Sequence, residues 1–265
     1  MGRAKEIIAK TISRQIADPF VRRVHYSGKV DTRTQLCIGF FLDNELHGVA
    51  QFSPSIDKRK SIGVVKGTKW NEFIELARLA FDDYLPKNAE SRCLSLCMRL
   101  IKKNAPHIKF IISYADGTQC GDGTIYRASN FKLIGIKENK SMIMLPDGSV
   151  HCKIIFEPGF NPNGKTKQAV LYGKTGIKSS WTANKFLKDM GAKFIEGFQL
   201  KYIYFIHPKE IDNLTVPILP FSKIDEMGAG MYKGKKITVA ERKNAVKAQE
   251  KCAEPSSSEV AFVTT

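Results

Sequence analysis

Residues 108–135 read IKFIISYADGTQCGDGTIYRASNFKLIG. Ile108 to Tyr114 is an apolar run of strand length, and a turn with glycines at 117, 121 and 123 follows it. A short helical pattern then carries Tyr126, and a second apolar run begins at Phe131. Strand, loop, helix, strand is the pattern of an α/β sheet. Asp116, Cys120, Asp122 and Tyr126 crowd the exit of the first strand, where open α/β sheets hold ligands. Asp116 is placed to act as a base or to hold a metal or a substrate amine. A phenol at Tyr126, in the first turns of a helix, can donate a proton to a developing anion.

Working toward the N-terminus, Pro106 closes an amphipathic helix over about 91–104. Leu94, Cys97, Met98, Leu100 and Ile101 form its apolar side and Arg92, Arg99, Lys102 and Lys103 its polar one. Asn88 is an expected N-cap with Glu90 in the first turn. The small residues Ala89 and Ser91 let a ligand approach the first-turn N–H groups, which makes a phosphate site. Phe73 to Phe81, FIELARLAF, fits strand or helix by period alone. If it is a strand, Arg78 is a charge amid apolar residues and is expected to meet an anion or a carboxylate.

The first 19 residues alternate basic and apolar positions and are expected to form a basic N-terminal helix that Asp18-Pro19 ends, with a second short helix over Phe20 to Val24. His25-Tyr26 precedes a turn at Gly28 and reads either as a base or ligand pair or as packing. Leu36–Leu42 and Leu46–Phe52 make a hairpin about Asp43-Asn44-Glu45. A basic loop, Pro54 to Lys60, and a short strand, Ile62 to Val65, come next. Beyond the central stretch a second hairpin is expected over Met142–Pro146 and Val150–Phe156. It is followed by a lysine- and glycine-rich loop over 160–176, a helix over Trp181–Met190 and a strand over Lys201–Ile206. Lysines and arginines outnumber acids from Gly228 on. The expected division is therefore 1–19, a catalytic domain over 20–220 with its core in 20–156, and a basic, partly disordered tail over 221–265.

The chain has 42 lysines and arginines against 26 acids, a net charge of +16 and a pI near 9.6. Such a balance favours a polyanionic partner, nucleic acid first, although a solubility charge has the same sign. Six cysteines without a CxxC pair read as reduced thiols in a cytosol, with Cys93 and Cys97 one helical turn apart in the core. No apolar stretch reaches the length of a membrane span and no secretory signal is visible, so a soluble cytoplasmic protein is expected.

The order strand 73–81, small-residue turn, helix 91–104, strand 108–114, Tyr126 helix and Asn130–Gly135 resembles the acyl-CoA-binding half of the GNAT acyltransferase fold. That resemblance implies an α/β protein with a mixed central sheet flanked by helices, carrying here a C-terminal extension. It also implies acetyl-CoA or a related acyl donor held around Arg78, Asn88, Ala89, Ser91, Arg92 and Tyr126. Pro86 stands where the fold's pyrophosphate pattern has Gln or Arg.

Tyr114–Ser129, His25-Tyr26-Ser27, Gln51–Ser55, Glu75–Ala80 and Leu85–Arg92 together resemble the bacteriophage Mom family over about residues 20–155. This implies transfer of a methylcarbamoyl group to adenine N6 of double-stranded DNA as protection from restriction. The implied catalytic residues are Asp116, Tyr126, Ser91 and Arg78. Iron held by His25, Tyr26 and Asp116 is a further implication, with action in the host cytoplasm and the oligomeric state, a homodimer included, left open. The competing readings are an acetyltransferase for protein or small-molecule amines, a non-catalytic DNA-binding module, and a transferase using Cys120 as nucleophile.

Overall fold

A computed structural model describes residues 3–153, 180–232, 235–238, 240, 241 and 244 of the chain. The expected loop over 160–176, the last residues of the second hairpin and most of the basic tail lie outside the described residues.

A seven-stranded sheet organises the protein. Its strands are β1 (Ile8–Ile12), β2 (Leu36–Leu42), β3 (Glu45–Ser53), β4 (Phe73–Phe81), β5 (Phe110–Asp116), β6 (Lys132–Glu138) and β10 (Phe198–Phe205). Their order is β1-β2-β3-β4-β5-β10-β6, and only β4 and β5 pair in parallel. Between β6 and β10 stands a separate three-stranded sheet of β7 (Met142–Met144), β8 (Val150–Cys152) and β9 (Lys193–Ile195), in the order β8-β7-β9. The α/β architecture expected from the sequence, a mixed sheet flanked by helices, is the one observed.

Alternation along the strands assigns each helix to a face. Helix α1 (Arg14–Val24) buries Ala17, Phe20 and Val21 against Cys37, Val49 and Ala80. After the five-residue α2 (Lys58–Ile62), α3 (Ala89–Asn104) lays Cys93, Leu94, Cys97, Met98 and Ile101 against Ile38, Ala50, Phe52 and Leu76, which are neighbours of the α1-facing residues in the same strands. α1 and α3 thus cover opposite faces, and Cys93 and Cys97 fill core as their spacing predicts. The short α4 (Thr124–Ala128) sits beside α3.

FIELARLAF is a strand, and the tight hairpin before it turns on Asp43 and Asn44, both at positive φ, as a two-residue turn matched to strand twist requires. The N-terminus departs from expectation. Ile8–Ile12 is an edge strand paired with β2, and the helix that follows runs through Pro19 rather than stopping at it. Three isoleucines and a threonine within residues 7–12 suit a pleated edge better than a helix. Pro19, in the second turn of α1, removes one backbone bond but does not end the helix, because Phe20 and Val21 beyond it are anchored in the core. Ile62–Val65 is not a strand either. It leaves the end of α2 through Gly63 and makes a single bridge, Val65 with Leu214. The core also reaches past residue 220, since Ile224 and Ala229 are fully buried with Tyr126 and Leu200.

Gly123 precedes α4 at φ 81°, and a Cβ there would meet the Tyr202 ring at 2.5 Å. Gly123→Ala combines left-handed strain with overpacking, so it is expected to lower stability by about 2–4 kcal/mol in urea denaturation.

Candidate active site

β4 and β5 run together only at their start. Their pairing ends with Leu76 opposite Ser113, yet β4 continues to Phe81 and β5 to Asp116. Beyond that point β4 is held by β3 alone and β5 by β10 alone. Pairing with β3 jumps from Leu76–Phe52 to Arg78–Gln51, which leaves Ala77 as a one-residue bulge that bends β4. Ser113, wholly buried, donates its hydroxyl to the Leu76 carbonyl at 2.9 Å where the strands part. The sheet therefore forks in its middle, and the candidate site is built around the fork.

Asp116 lies at the tip of β5. Its Oδ1 accepts the Thr118 N–H at 2.9 Å, while Oδ2 accepts from Gln119 Nε2 at 3.1 Å and faces the Tyr26 hydroxyl at 3.4 Å. The Cys120 and Gly121 amides both bond the Asp116 carbonyl, so the glycine loop wraps around this residue. Tyr26 lies against the His25 ring with centroids 4.3 Å apart, and desolvation followed by the charge of Asp116 raises its phenol well above the ordinary value. Burial, and then the positive charge of Arg78, lower His25 to about 4. Its Nδ1 accepts the Ser27 N–H at 3.2 Å, which leaves the proton of the neutral ring on Nε2.

Arg78 does not find the expected carboxylate. Its Nε donates to Lys29 O at 2.8 Å and its Nη1 to Ala77 O at 2.6 Å.

Tyr126 approaches the fork from the α3 side. It is buried between Phe131 and Tyr202, with ring centroids at 5.2 and 5.3 Å, and burial raises its phenol. Nearby, α3 begins at Ala89, which is fully buried. Asn88 occupies the cap position in a left-handed conformation, φ 65°, and its side chain makes no capping bond, contrary to expectation. Ser91 donates its hydroxyl to Asn88 O at 3.2 Å. The Nε of Arg92 is buried without a hydrogen-bond partner.

The sequence profile of the Mom protein family matches residues 6–223. The chain belongs to the Mom protein family. It is similar to the methylcarbamoylase mom of Escherichia phage Mu, with 33% identity over 137 residues, which is 51% of this chain and 56% of the phage protein. The chain thus spans little more than half the length of that curated relative. Among solved structures it is similar to an N-acetyltransferase from Staphylococcus aureus Mu50, at 10% identity over 76% of this chain and 98% of that one, with a TM-score of 0.39. A Bacillus subtilis acetyltransferase solved with CoA aligns at 10% identity over 75% and 97% of the two chains, with a TM-score of 0.37.

In this Mom-family chain the predicted site residues fall into two groups. His25, Tyr26, Arg78 and Asp116 gather on the α1 side of the fork, and Asn88, Ala89, Ser91 and Arg92 begin α3 on the other, with Tyr126 reaching toward both. Arg78, expected with the donor-holding residues, stands with the first group. The iron set fits poorly. Tyr26 is held as a neutral phenol, His25 has Nδ1 occupied, and both Asp116 oxygens accept hydrogen bonds. Among the described residues no three His, Cys, Asp or Glu side chains come together as metal ligands. Cys120 is exposed, and desolvation and then Asp116 raise its thiol, which disfavours the nucleophilic thiolate. Asp122 is structural. It is 1% exposed and tied to Arg127 at 3.0 Å and Thr124 at 3.1 Å, holding the glycine loop onto α4.

Glu75 was passed over in the sequence. It is buried on β4, accepts the Ile56 N–H at 3.3 Å, and is raised by desolvation against the Ser55 hydroxyl bond. The signal was available, because the argument that singled out Arg78 applies equally to an acid three residues earlier in the same apolar strand. Lys29, whose ammonium donates to Val150 O at 3.1 Å, carried no sequence signal.

His25 stays neutral in the folded chain down to about pH 4 but protonates near 6.5 when unfolded. The unfolded chain binds more protons in that window, so this contribution to stability is complete above about pH 6.5 and declines as the pH falls toward 4. Thermal melts from pH 7.5 to 4.5 should show a smaller acid decline in His25→Asn than in the unaltered protein.

Proposed function

We propose that this chain is a phage-type DNA-modifying transferase that attaches a methylcarbamoyl-type group to adenine N6 in double-stranded DNA, shielding it from restriction in the host cytoplasm. Membership of the Mom family and the name of the phage Mu relative support the class of reaction. A net charge of +16 suits a DNA substrate. The observation that carries the reading is the contact between Tyr26 and Asp116, 90 residues apart in sequence, beside Arg78 and across the fork from Tyr126.

Adenine N6 is a poor nucleophile, because its lone pair is delocalised into the ring, and it is paired in duplex DNA. The base therefore has to be flipped out to reach Asp116. Asp116 is held by the Thr118 amide on one oxygen, and its other oxygen accepts the N6 proton and aligns the amine. Tyr26, neutral and hydrogen-bonded to that oxygen, fixes the carboxylate from the solvent side. Tyr126, neutral through burial, keeps a proton for a leaving group on the opposite side.

An acyl-CoA-type donor, when bound, supplies an activated carbonyl. Ser91 and the first-turn amides of α3 beyond Ala89, whose own N–H bonds Pro86 O at 3.0 Å, would hold its phosphates, and the Nε of Arg92, without a partner among the described residues, fits an anionic group there. The iron implied by the family resemblance finds no fitting ligand set in these residues, and no step is assigned to it.

Total DNA from bacteria expressing the protein, digested to nucleosides, should show an adduct mass on deoxyadenosine by mass spectrometry. Asp116→Asn and Tyr126→Phe should each fold and lower adduct formation by about 100-fold or more. Unmodified deoxyadenosine from soluble, folded protein would count against the assignment, and an unimpaired Asp116→Asn would remove Asp116 from its role.

A further inference from the structure

Arg78 and Lys29 stand together, and no carboxylate among the described residues closes on either. The Arg78 Nε bonds the Lys29 carbonyl at 2.8 Å, and burial, followed by the charge of Arg78, depresses the Lys29 ammonium, so two cations share one neighbourhood. Neither makes an ion pair among the described residues. Among the described residues Arg78 donates to the carbonyls of Lys29 and Ala77, and the Lys29 ammonium contacts Val150 O at 3.1 Å and His151 Nδ1 at 3.3 Å. These backbone bonds orient both cations but neutralise neither, and the remaining guanidinium donors stay available. His25 and His151, the titratable rings beside them, are both held toward the neutral form. A repelling pair of cations, pinned and partly desolvated, is complete only when an anion joins it. The pair lies on the α1 side with Asp116 and Tyr26, not at the start of α3. The missing anion therefore arrives with the acceptor rather than with the donor.

We propose that Lys29 and Arg78 form a phosphate subsite that grips a backbone phosphate of the DNA strand next to the flipped nucleotide. Arg78 supplies the fixed fork from the bulged part of β4, and Lys29 closes from the loop after α1, braced on β8. One clamped phosphate sets the distance between the sugar-phosphate backbone and Asp116, so the subsite positions the base as well as binding the strand. This rests on the DNA-modifying reading.

The test is fluorescence anisotropy of full-length protein with an adenine-containing duplex across a salt series, for the unaltered chain, Lys29→Gln, Arg78→Lys, the double variant Lys29→Gln/Arg78→Gln, and Lys140→Gln. Lys140, exposed and paired with Glu138 at 2.8 Å, serves as the charge-removal control. Lys29→Gln alters an exposed side chain, and Arg78→Lys keeps the charge while losing the fork, so fold and charge effects separate. The double variant is expected to lower the slope of log K against log salt by about one and to weaken binding about tenfold, with CoA binding unchanged. A loss no greater than in Lys140→Gln overturns the subsite. A loss of CoA binding with DNA binding intact also overturns it and assigns the anion to the donor. Adduct measurement on the unaltered chain is a separate readout. Unmodified deoxyadenosine together with the expected slope change would sink the transferase reading and leave the phosphate subsite standing.

Discussion

The parting of β4 from β5 after Leu76 and Ser113 is the constraint on which the rest of the site depends. A parallel pair normally continues as long as both strands do, because each unpaired amide costs solvation when buried. Here the bulge at Ala77 turns β4 away, and the Ser113 hydroxyl takes up the Leu76 carbonyl that the ladder would otherwise serve. Each strand keeps its full length by holding a different neighbour, β3 or β10. The backbone is thus opened in the centre of the sheet without losing its outer support. Side chains from both faces can reach the opening.

The electrostatics of the opening follow from unequal exposure. Groups drawn into the protein are pushed toward neutrality. His25 falls to about 4, Tyr126 rises, and Glu75 rises within its buried surroundings. Asp116, at the strand tip, has the Thr118 backbone amide and the Gln119 side-chain amide turned toward its two oxygens. The cations Lys29 and Arg78 are oriented by carbonyls and make no ion pair among the described residues.

The loop that presents Asp116 is held from below. The Tyr202 hydroxyl donates to the Asp122 carbonyl, the Asp122 carboxylate binds Arg127 and Thr124, and Gly117 N–H meets Phe198 O at 2.7 Å. The Tyr202 and Phe198 contacts come from β10, which fits between β5 and β6 although it begins about sixty residues of chain after β6 ends. The loop that bears Asp116 thus hangs on a strand outside the stretch that carries the family resemblance most clearly. This is why the glycines are spaced as they are. Gly123 leaves room for the Tyr202 ring and Gly117 for the Phe198 carbonyl.

Much of this was legible in the chain. Period and punctuation placed the β2–β3 hairpin, α3, β5 and the Tyr126 helix, and His25, Tyr26, Arg78 and Asp116, named from the family resemblance, come together on the α1 side of the fork. What failed did so for local reasons. Residues 7–12 carry both a basic helical spacing and a β-branched composition, and only the available edge of β2 chose between them. Pro19 looked like a stop, but core burial of Phe20 and Val21 outweighed one lost hydrogen bond. Asn88 has the composition of a cap, yet its left-handed backbone turns the side chain away from that task.

By itself, then, the sequence determined the elements, the class of fold and the residue types at the site, because these rest on periodicity and local sterics. Tertiary structure alone decided where β4 leaves β5, which face each side chain takes, and that Arg78 meets Lys29 rather than a carboxylate. Those outcomes depend on the pairing of strands far apart in the chain, and a single bulged residue is enough to change them.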